Sequence, residues 1–162
     1  MNRIEQLLEA NASYAAVHQR AESRYPKKHL AVVTCMDARI DVFASLGLHL
    51  GEALVIRNAG GRVTDDVLRS LALAVHVLGV DSVALMQHTE CGLANVTDDE
   101  LRSITGADVH FLPIRDHAAA LTEDVDVLAT TPYLSPIEAI AGFVYNVETG
   151  AVEDHIRWSR PK

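Results

Sequence analysis

The sequence predicts an α/β fold, a mainly parallel β-sheet flanked by α-helices, and three observations carry that expectation. Three short runs, Leu30-Ala31-Val32-Val33, Ala53-Leu54-Val55-Ile56 and Ser82-Val83-Ala84-Leu85-Met86, are aliphatic or β-branched at nearly every position. Such runs suit strands buried on both faces, as in a parallel sheet. Stretches with helical spacing lie between them, and alternation of strand and helix builds β-α-β units. The chain has 162 residues, 49% of them apolar and 22% charged, a length and balance that fit one folded core. Residues 1–162 are therefore expected to form a single domain.

The elements follow in order. From Asn2 to Glu22, apolar side chains at Ile4, Leu7, Leu8, Tyr14, Ala15 and Val17 have a roughly helical spacing, which the polar stretch Ser23-Arg24-Tyr25-Pro26-Lys27-Lys28 ends. After the first strand run, Ile40 to Leu46 reads as a short helix stopped by Gly47. After the second, Thr64-Asp65-Asp66 precedes Val67, Leu68, Leu71, Ala72, Val75 and Leu78. Thr64 or Asp65 caps this helix, and Gly79 stands where a glycine ends one. Beyond the third run, Thr97 is followed three residues on by Glu100, a capping-box arrangement that opens a helix to Thr105. His117 to Leu128 forms another helix. Phe143-Val144-Tyr145-Asn146-Val147, the turn Glu148-Thr149-Gly150, and Ala151-Val152 read as a hairpin.

The charge pattern excludes some classes of function. Lys and Arg number 14 against 22 Asp and Glu, a formal charge of −8. A nucleic-acid binder needs clustered cations, so nucleic acid is not expected as a partner. No apolar run reaches the roughly 18 residues of a membrane span, and the first residues lack the apolar core of a secretory signal. Two cysteines, Cys35 and Cys91, are too few for a disulfide scaffold. A cytoplasmic location is the resulting expectation.

Polar residues gather where the strand runs end. Cys35 closes the first run, His88 the third, and Cys91 follows three residues later. Ligands of open α/β sheets collect outside the carboxyl ends of the strands, so parallel neighbours would bring these three side chains to one edge. One His and two Cys form a workable zinc set, whose fourth position is left for water in a catalytic site. Asp37 and Arg39 follow the first strand end. A bidentate pair there would fix the carboxylate and keep it ionised, and a fixed carboxylate beside a zinc-bound water can orient it. Arg57-Asn58-Ala59-Gly60-Gly61 ends the second run at the same edge. Its glycines, and Gly92 after Cys91, let backbone approach a ligand closely.

Blander readings of the same residues stay open at this point. Lone cysteines are most often small buried hydrophobes. An Asp–Arg pair can be a surface ion pair worth about 0–1 kcal/mol, and the glycines can simply form turns. A Cys nucleophile with His88 as its base is a further alternative. A C-x5-R phosphatase loop would need Arg at position 41, where Asp41 stands, and no C-x-x-C redox pair exists.

In this order, Cys35-x-Asp37-x-Arg39, Arg57-Asn58-Ala59-Gly60-Gly61 and His88-x-x-Cys91-Gly92 resemble the β-class carbonic anhydrases, over roughly residues 30 to 95. Phe143 to Asp154 is similar to the closing strands of that family. The short chain, with Thr64-Asp65-Asp66-Val67 and Thr97-Asp98-Asp99, resembles its small-subunit subgroup. The resemblance implies a β-carbonic anhydrase-like sheet and reversible hydration of carbon dioxide to bicarbonate and a proton, by attack of zinc-bound hydroxide. It implies one Zn2+ per chain, with Cys35, His88 and Cys91 as ligands, Asp37 and Arg39 as the catalytic dyad, and Gly60 and Gly92 beside the substrate. It also implies an intertwined homodimer, often paired into a homotetramer, with the helical arm 1–25 packed on the partner. In some members the aspartate swings onto zinc and closes the site at lower pH.

Two alternatives accompany the resemblance. One is a zinc hydrolase of carbonyl sulfide or carbon disulfide on the same scaffold. The other is a non-catalytic zinc-binding protein, which would need a closed fourth ligand; Asp37 could supply it, but no third cysteine exists. His18, His29, His49, His76, His110, His117 and His155 lie outside the motifs. Any could relay protons, although surface or packed histidines are the common case.

Overall fold

Strands β1 (Leu30–Cys35), β2 (Ala53–Asn58), β3 (Ser82–His88), β4 (Ala139–Tyr145) and β5 (Val152–Ser159) form one sheet in the order β2-β1-β3-β4-β5. The first four are parallel, and β5 runs antiparallel to β4. This is the mainly parallel sheet that the apolar runs predict. Helices α1 (Arg3–Val17), α2 (Val42–Leu46), α3 (Asp65–Leu78), α4 (Asp98–Thr105) and α5 (His117–Thr130) complete the chain, with short 3-10 turns at Ala59–Gly61 and Pro132–Leu134. The computed structural model describes residues 2–21 and 23–161.

Burial on two faces explains the strand composition. Ala31, Val33, Val83, Leu85, Ile140 and Val144 face one core with Val67, Leu71 and Val75 of α3 and Leu121, Val125 and Leu128 of α5. Val32, Ala84 and Met86 face a second core with Ile40, Val42, Leu48, Leu93 and Ile114. Each fully buried leucine contributes roughly 1.5–3 kcal/mol relative to exposure. The second face is covered mainly by short α2 and by loops, and that thinner cover brings loop residues to the carboxyl ends of β1 and β3.

The helix caps follow the sequence signals. Thr64 Oγ1 accepts from the Val67 amide, and Gly79 ends α3 in the left-handed conformation. Thr97 and Glu100 form a capping box at α4, and Asp41 and Asp116 cap α2 and α5 through their side chains. At α1, Asn2 and Glu5 form another capping box, and the helix stops at Val17. That is short of the expected end; apolar spacing gives out there, and the expected terminus Glu22 lies outside the described residues.

The closing hairpin departs most from expectation. β4 begins at Ala139, because Ala139 to Gly142 pair with Ser82 to Leu85 of β3, and it stops at Tyr145. Asn146 belongs to the turn: its amide donates to the Ala151 carbonyl, and Gly150, with φ +73, donates back to Asn146. β5 continues to Ser159, with a register shift between Gly142 and Phe143.

Candidate metal centre

The register sets three side chains at one edge. Thr34 of β1 pairs with Met86 of β3, so Cys35 and His88 both lie at the carboxyl ends of adjacent strands. Thr34 Oγ1 donates to the Met86 carbonyl at 2.7 Å and ties the two strand ends together. The two-residue turn Thr89-Glu90 returns Cys91 to the same place. The ligand atoms of Cys35, His88 and Cys91 lie within 4.8 Å of one another, and all three residues are buried.

Their protonation suits a cation. A backbone carbonyl only accepts, so the 2.8 Å contact from His88 Nδ1 to Thr89 O places the ring hydrogen on Nδ1. The Nε2 lone pair then faces the two sulfurs, and Nε2 has no hydrogen-bond partner although it is buried. A buried polar atom left unpaired is costly. The neighbouring Cys91 thiol holds the Cys35 thiol down at about 4. Cys35 in turn pushes the Cys91 thiol well above its ordinary range. Cys35 is thus the more readily ionised of the two sulfurs, and a dication would displace the proton that Cys91 keeps. The Gly60 amide donates to Cys35 Sγ at 3.3 Å, further favouring the thiolate. Two such sulfurs and one unpartnered imidazole nitrogen fit zinc in identity and number.

Asp37 stands beside this group. Its Oδ2 is 3.8 Å from His88 Nε2. Arg39 grips both carboxylate oxygens: Nε donates to Oδ1 at 3.0 Å and Nη2 to Oδ2 at 2.8 Å, and the Arg39 amide donates to Oδ1 at 2.9 Å. These bonds, the guanidinium's first, hold the Asp37 carboxyl far below the usual carboxylate range. Oδ1 thus accepts two hydrogen bonds and Oδ2 one. The free lone pair belongs to the oxygen nearest His88. Arg57 shapes the loop beneath: its guanidinium donates to the carbonyls of Cys35 at 2.9 Å, Asp37 at 2.6 Å and Ile40 at 3.2 Å.

The glycines differ. Gly60 is buried with φ +77, and a Cβ there would meet Leu93 Cδ1 at 2.8 Å. Gly92 is exposed, with open space where a Cβ would be.

Sequence reasoning did not single out Arg62, Gln87 or Glu90. Arg62, buried, donates to Asp124 and Glu123 at 2.7 Å and to the Leu112 carbonyl at 2.9 Å, anchoring the Gly60 turn to α5. Burial pushes the Asp124 carboxyl up, although Arg62 pulls it down. Gln87, also buried, meets His117 Nδ1 at 2.8 Å, and burial lowers the His117 pKa. Glu90 binds Arg39. No composition or spacing signal marks a loop glutamate; its position next to Cys91 was the available cue.

Comparison with known proteins agrees with this geometry. A family profile described as "Carbonic anhydrase" matches residues 30–131. Beta-carbonic anhydrase 1 of Mycobacterium tuberculosis is 35% identical, covering 95% of this chain and 98% of that protein. A carbon disulfide hydrolase of Saccharolobus solfataricus is 30% identical, covering 75% of this chain and 74% of its own. The crystal structure of a carbonic anhydrase from Streptococcus mutans superposes with a TM-score of 0.87 at 37% identity, covering 96% of this chain and 99% of that one.

Proposed function

The chain belongs to the β-carbonic anhydrase family, and from that premise we propose how its residues carry out the reaction. The protein is a zinc-dependent lyase that reversibly hydrates carbon dioxide to bicarbonate and a proton. Cys35, His88 and Cys91 are assigned as the zinc ligands. The observation that carries this assignment is the convergence of two sulfurs and an unpartnered imidazole nitrogen within 4.8 Å. Zinc bound there supplies Lewis acidity toward water, tempered by two thiolates that cancel its formal charge.

Asp37 and Arg39 are assigned as the catalytic dyad. Asp37 accepts a hydrogen bond at Oδ2 from the attacking water and so fixes where the nucleophilic lone pair points. Arg39 keeps the carboxylate ionised and directed. Gly60 and Gly92 are assigned beside the substrate; the apolar cluster that includes Leu93 and Ile114 suits an uncharged, linear molecule. Residues 1–162 act as one unit, with 1–25 as an arm.

The reading extends to a homodimer, and pairs of dimers, in which the arm of one subunit packs on another. Two features support it. No described residue of α1 is buried, and Ile4, Leu7 and Leu8 are 65–71% exposed. A cavity of about 350 Å³ on the sheet is lined by Leu30, Leu46, Leu48, Ala84, Phe143 and Trp158 among others. The cytoplasm suits the two free cysteines, because an oxidising compartment would compete for them. No described helix is long and apolar enough to cross a membrane.

Stopped-flow hydration of carbon dioxide between pH 7 and 9 tests the assignment, with zinc determined on the same samples. The wild-type protein hydrates carbon dioxide. Asp37→Ala keeps its zinc and loses about 10- to 100-fold in kcat/KM, the usual effect of removing a group that orients a metal site. Unchanged turnover in Asp37→Ala would remove the dyad's role. Release of hydrogen sulfide from carbon disulfide faster than carbon dioxide hydration would move the enzyme to the sulfur-substrate branch.

A further inference from the structure

Arg39 is a long side chain, 47% exposed, and an exposed ion pair to Asp37 alone would not hold it still. Its guanidinium is nevertheless fixed from two loops. Asp37 takes Nε and one hydrogen of Nη2. Glu90 takes Nη1 through its carboxylate Oε2 at 2.8 Å and Nη2 through its backbone carbonyl at 3.2 Å. Among the described residues, the other side-chain bonds of Arg39 all go to Asp37, so Glu90 is its tie to a second loop.

That loop is a firm platform. The Thr89 amide donates to the Tyr145 carbonyl at 2.9 Å, and Thr89 Oγ1 accepts from the Val147 amide at 3.1 Å. On the other side Cys91 is buried. Between these anchors Glu90 has φ +56, a conformation uncommon for a residue with a side chain. With that backbone, carbonyl and carboxylate reach the same guanidinium. Strain of this kind persists where the surroundings over-determine it and clusters at functional sites.

We infer that Glu90 is a positioning residue for hydration: it locks the Arg39 guanidinium from the Cys91 loop, and Arg39 in turn holds Asp37 in one orientation beside the metal ligands. The inference rests on the assignment of Asp37 as the water-orienting group. Glu90 touches neither metal ligand nor substrate through its side chain; its effect passes through Arg39. A planar guanidinium bound on two edges cannot rotate without breaking both pairs, whereas one bound only by Asp37 can swing with it.

The test uses Glu90→Ala and Glu90→Gln, each in wild-type and Arg39→Ala backgrounds. Three readouts are taken: kcat/KM for carbon dioxide, zinc content, and 15N relaxation of the Arg39 Nε–H. Glu90→Ala is expected to keep its zinc, mobilise the Arg39 Nε–H and lose about tenfold in kcat/KM, as other outer-shell changes do. Glu90→Gln, whose amide oxygen accepts the same bond, stays within about threefold of wild type, since a neutral acceptor keeps the geometry. In the Arg39→Ala background neither change has a further effect, the mark of residues that act as a unit. An equal loss with and without Arg39, an unchanged Nε–H order, or loss of zinc from both Glu90 variants would overturn the proposal. Should the wild-type enzyme fail to hydrate carbon dioxide, the functional reading fails. The relaxation measurement still decides whether Glu90 holds Arg39.

Discussion

A Cβ placed on Gly61 would lie 2.9 Å from the Cys35 nitrogen and 2.9 Å from the Thr34 carbonyl carbon, and the residue has φ +64. Both the conformation and the space exclude a side chain, because the turn after β2 presses against the backbone that carries the first metal ligand. Gly106 has a similar φ of +68 but nothing within 4 Å of a Cβ. Gly61→Ala should therefore cost more than the backbone term alone. A loss of about 1–3 kcal/mol is expected in urea denaturation, with reduced zinc affinity, whereas Gly106→Ala should lose only about 1 kcal/mol. Equal losses would mean that the contact with Cys35 is relieved cheaply. At this scale the sequence was most legible. Cys35, His88 and Cys91 stand at the ends of apolar runs, and a strand end is where a parallel sheet presents its ligands. Asp37 and Arg39 were legible by proximity. Glu90, Arg62 and Gln87 were not, since their roles depend on partners 30 to 62 residues away, such as Arg62 on Asp124.

Among the elements, α1 stands apart from the rest. Its capping box and spacing specify a helix, yet a helix of 15 residues is marginal alone in water. In the proposed assembly its apolar side chains pack on another subunit, and the sheet face lined by Leu30, Leu48, Phe143 and Trp158 is an apolar surface of the kind they require. The proposed assembly predicts that removal of residues 1–20 from the 17.6 kDa chain leaves a monomer of about 15 kDa by light scattering, with lower thermal stability. An unchanged assembly would separate α1 from the subunit contact. The elements read well where a local signal exists. Thr64 and Gly79 bracket α3, and Thr97 with Glu100 starts α4. β5 was harder to read: Val152 to Ser159 is an edge strand with mostly exposed or half-buried side chains. Its place is set by pairing with β4 rather than by its own hydrophobicity.

For the molecule as a whole, stability and acidity are linked through His117. Burial holds its pKa below the ordinary value, so the folded chain keeps this ring neutral after the unfolded chain, near 6.5, has taken up a proton. Above that pH both states are neutral and the group contributes no slope. As pH falls below about 6.5, proton uptake favours the unfolded state and stability declines, down to the folded pKa. His117→Asn, which keeps a donor toward Gln87, should flatten the wild-type decline between pH 7 and 5.5 at matched zinc saturation. Identical slopes would place the acid sensitivity elsewhere.

The assembled sheet, the paired cores and the linked loops serve one end, a cluster of two cysteine sulfurs and one imidazole held at the carboxyl edge of β1 and β3. Zinc K-edge X-ray absorption on the purified protein tests that cluster most directly. The account predicts one zinc per chain, with two sulfur neighbours near 2.3 Å and one imidazole nitrogen at about 2.0–2.1 Å. The remaining coordination should come from a light atom. A shell made only of nitrogen and oxygen, or one with more than two sulfurs, would contradict it.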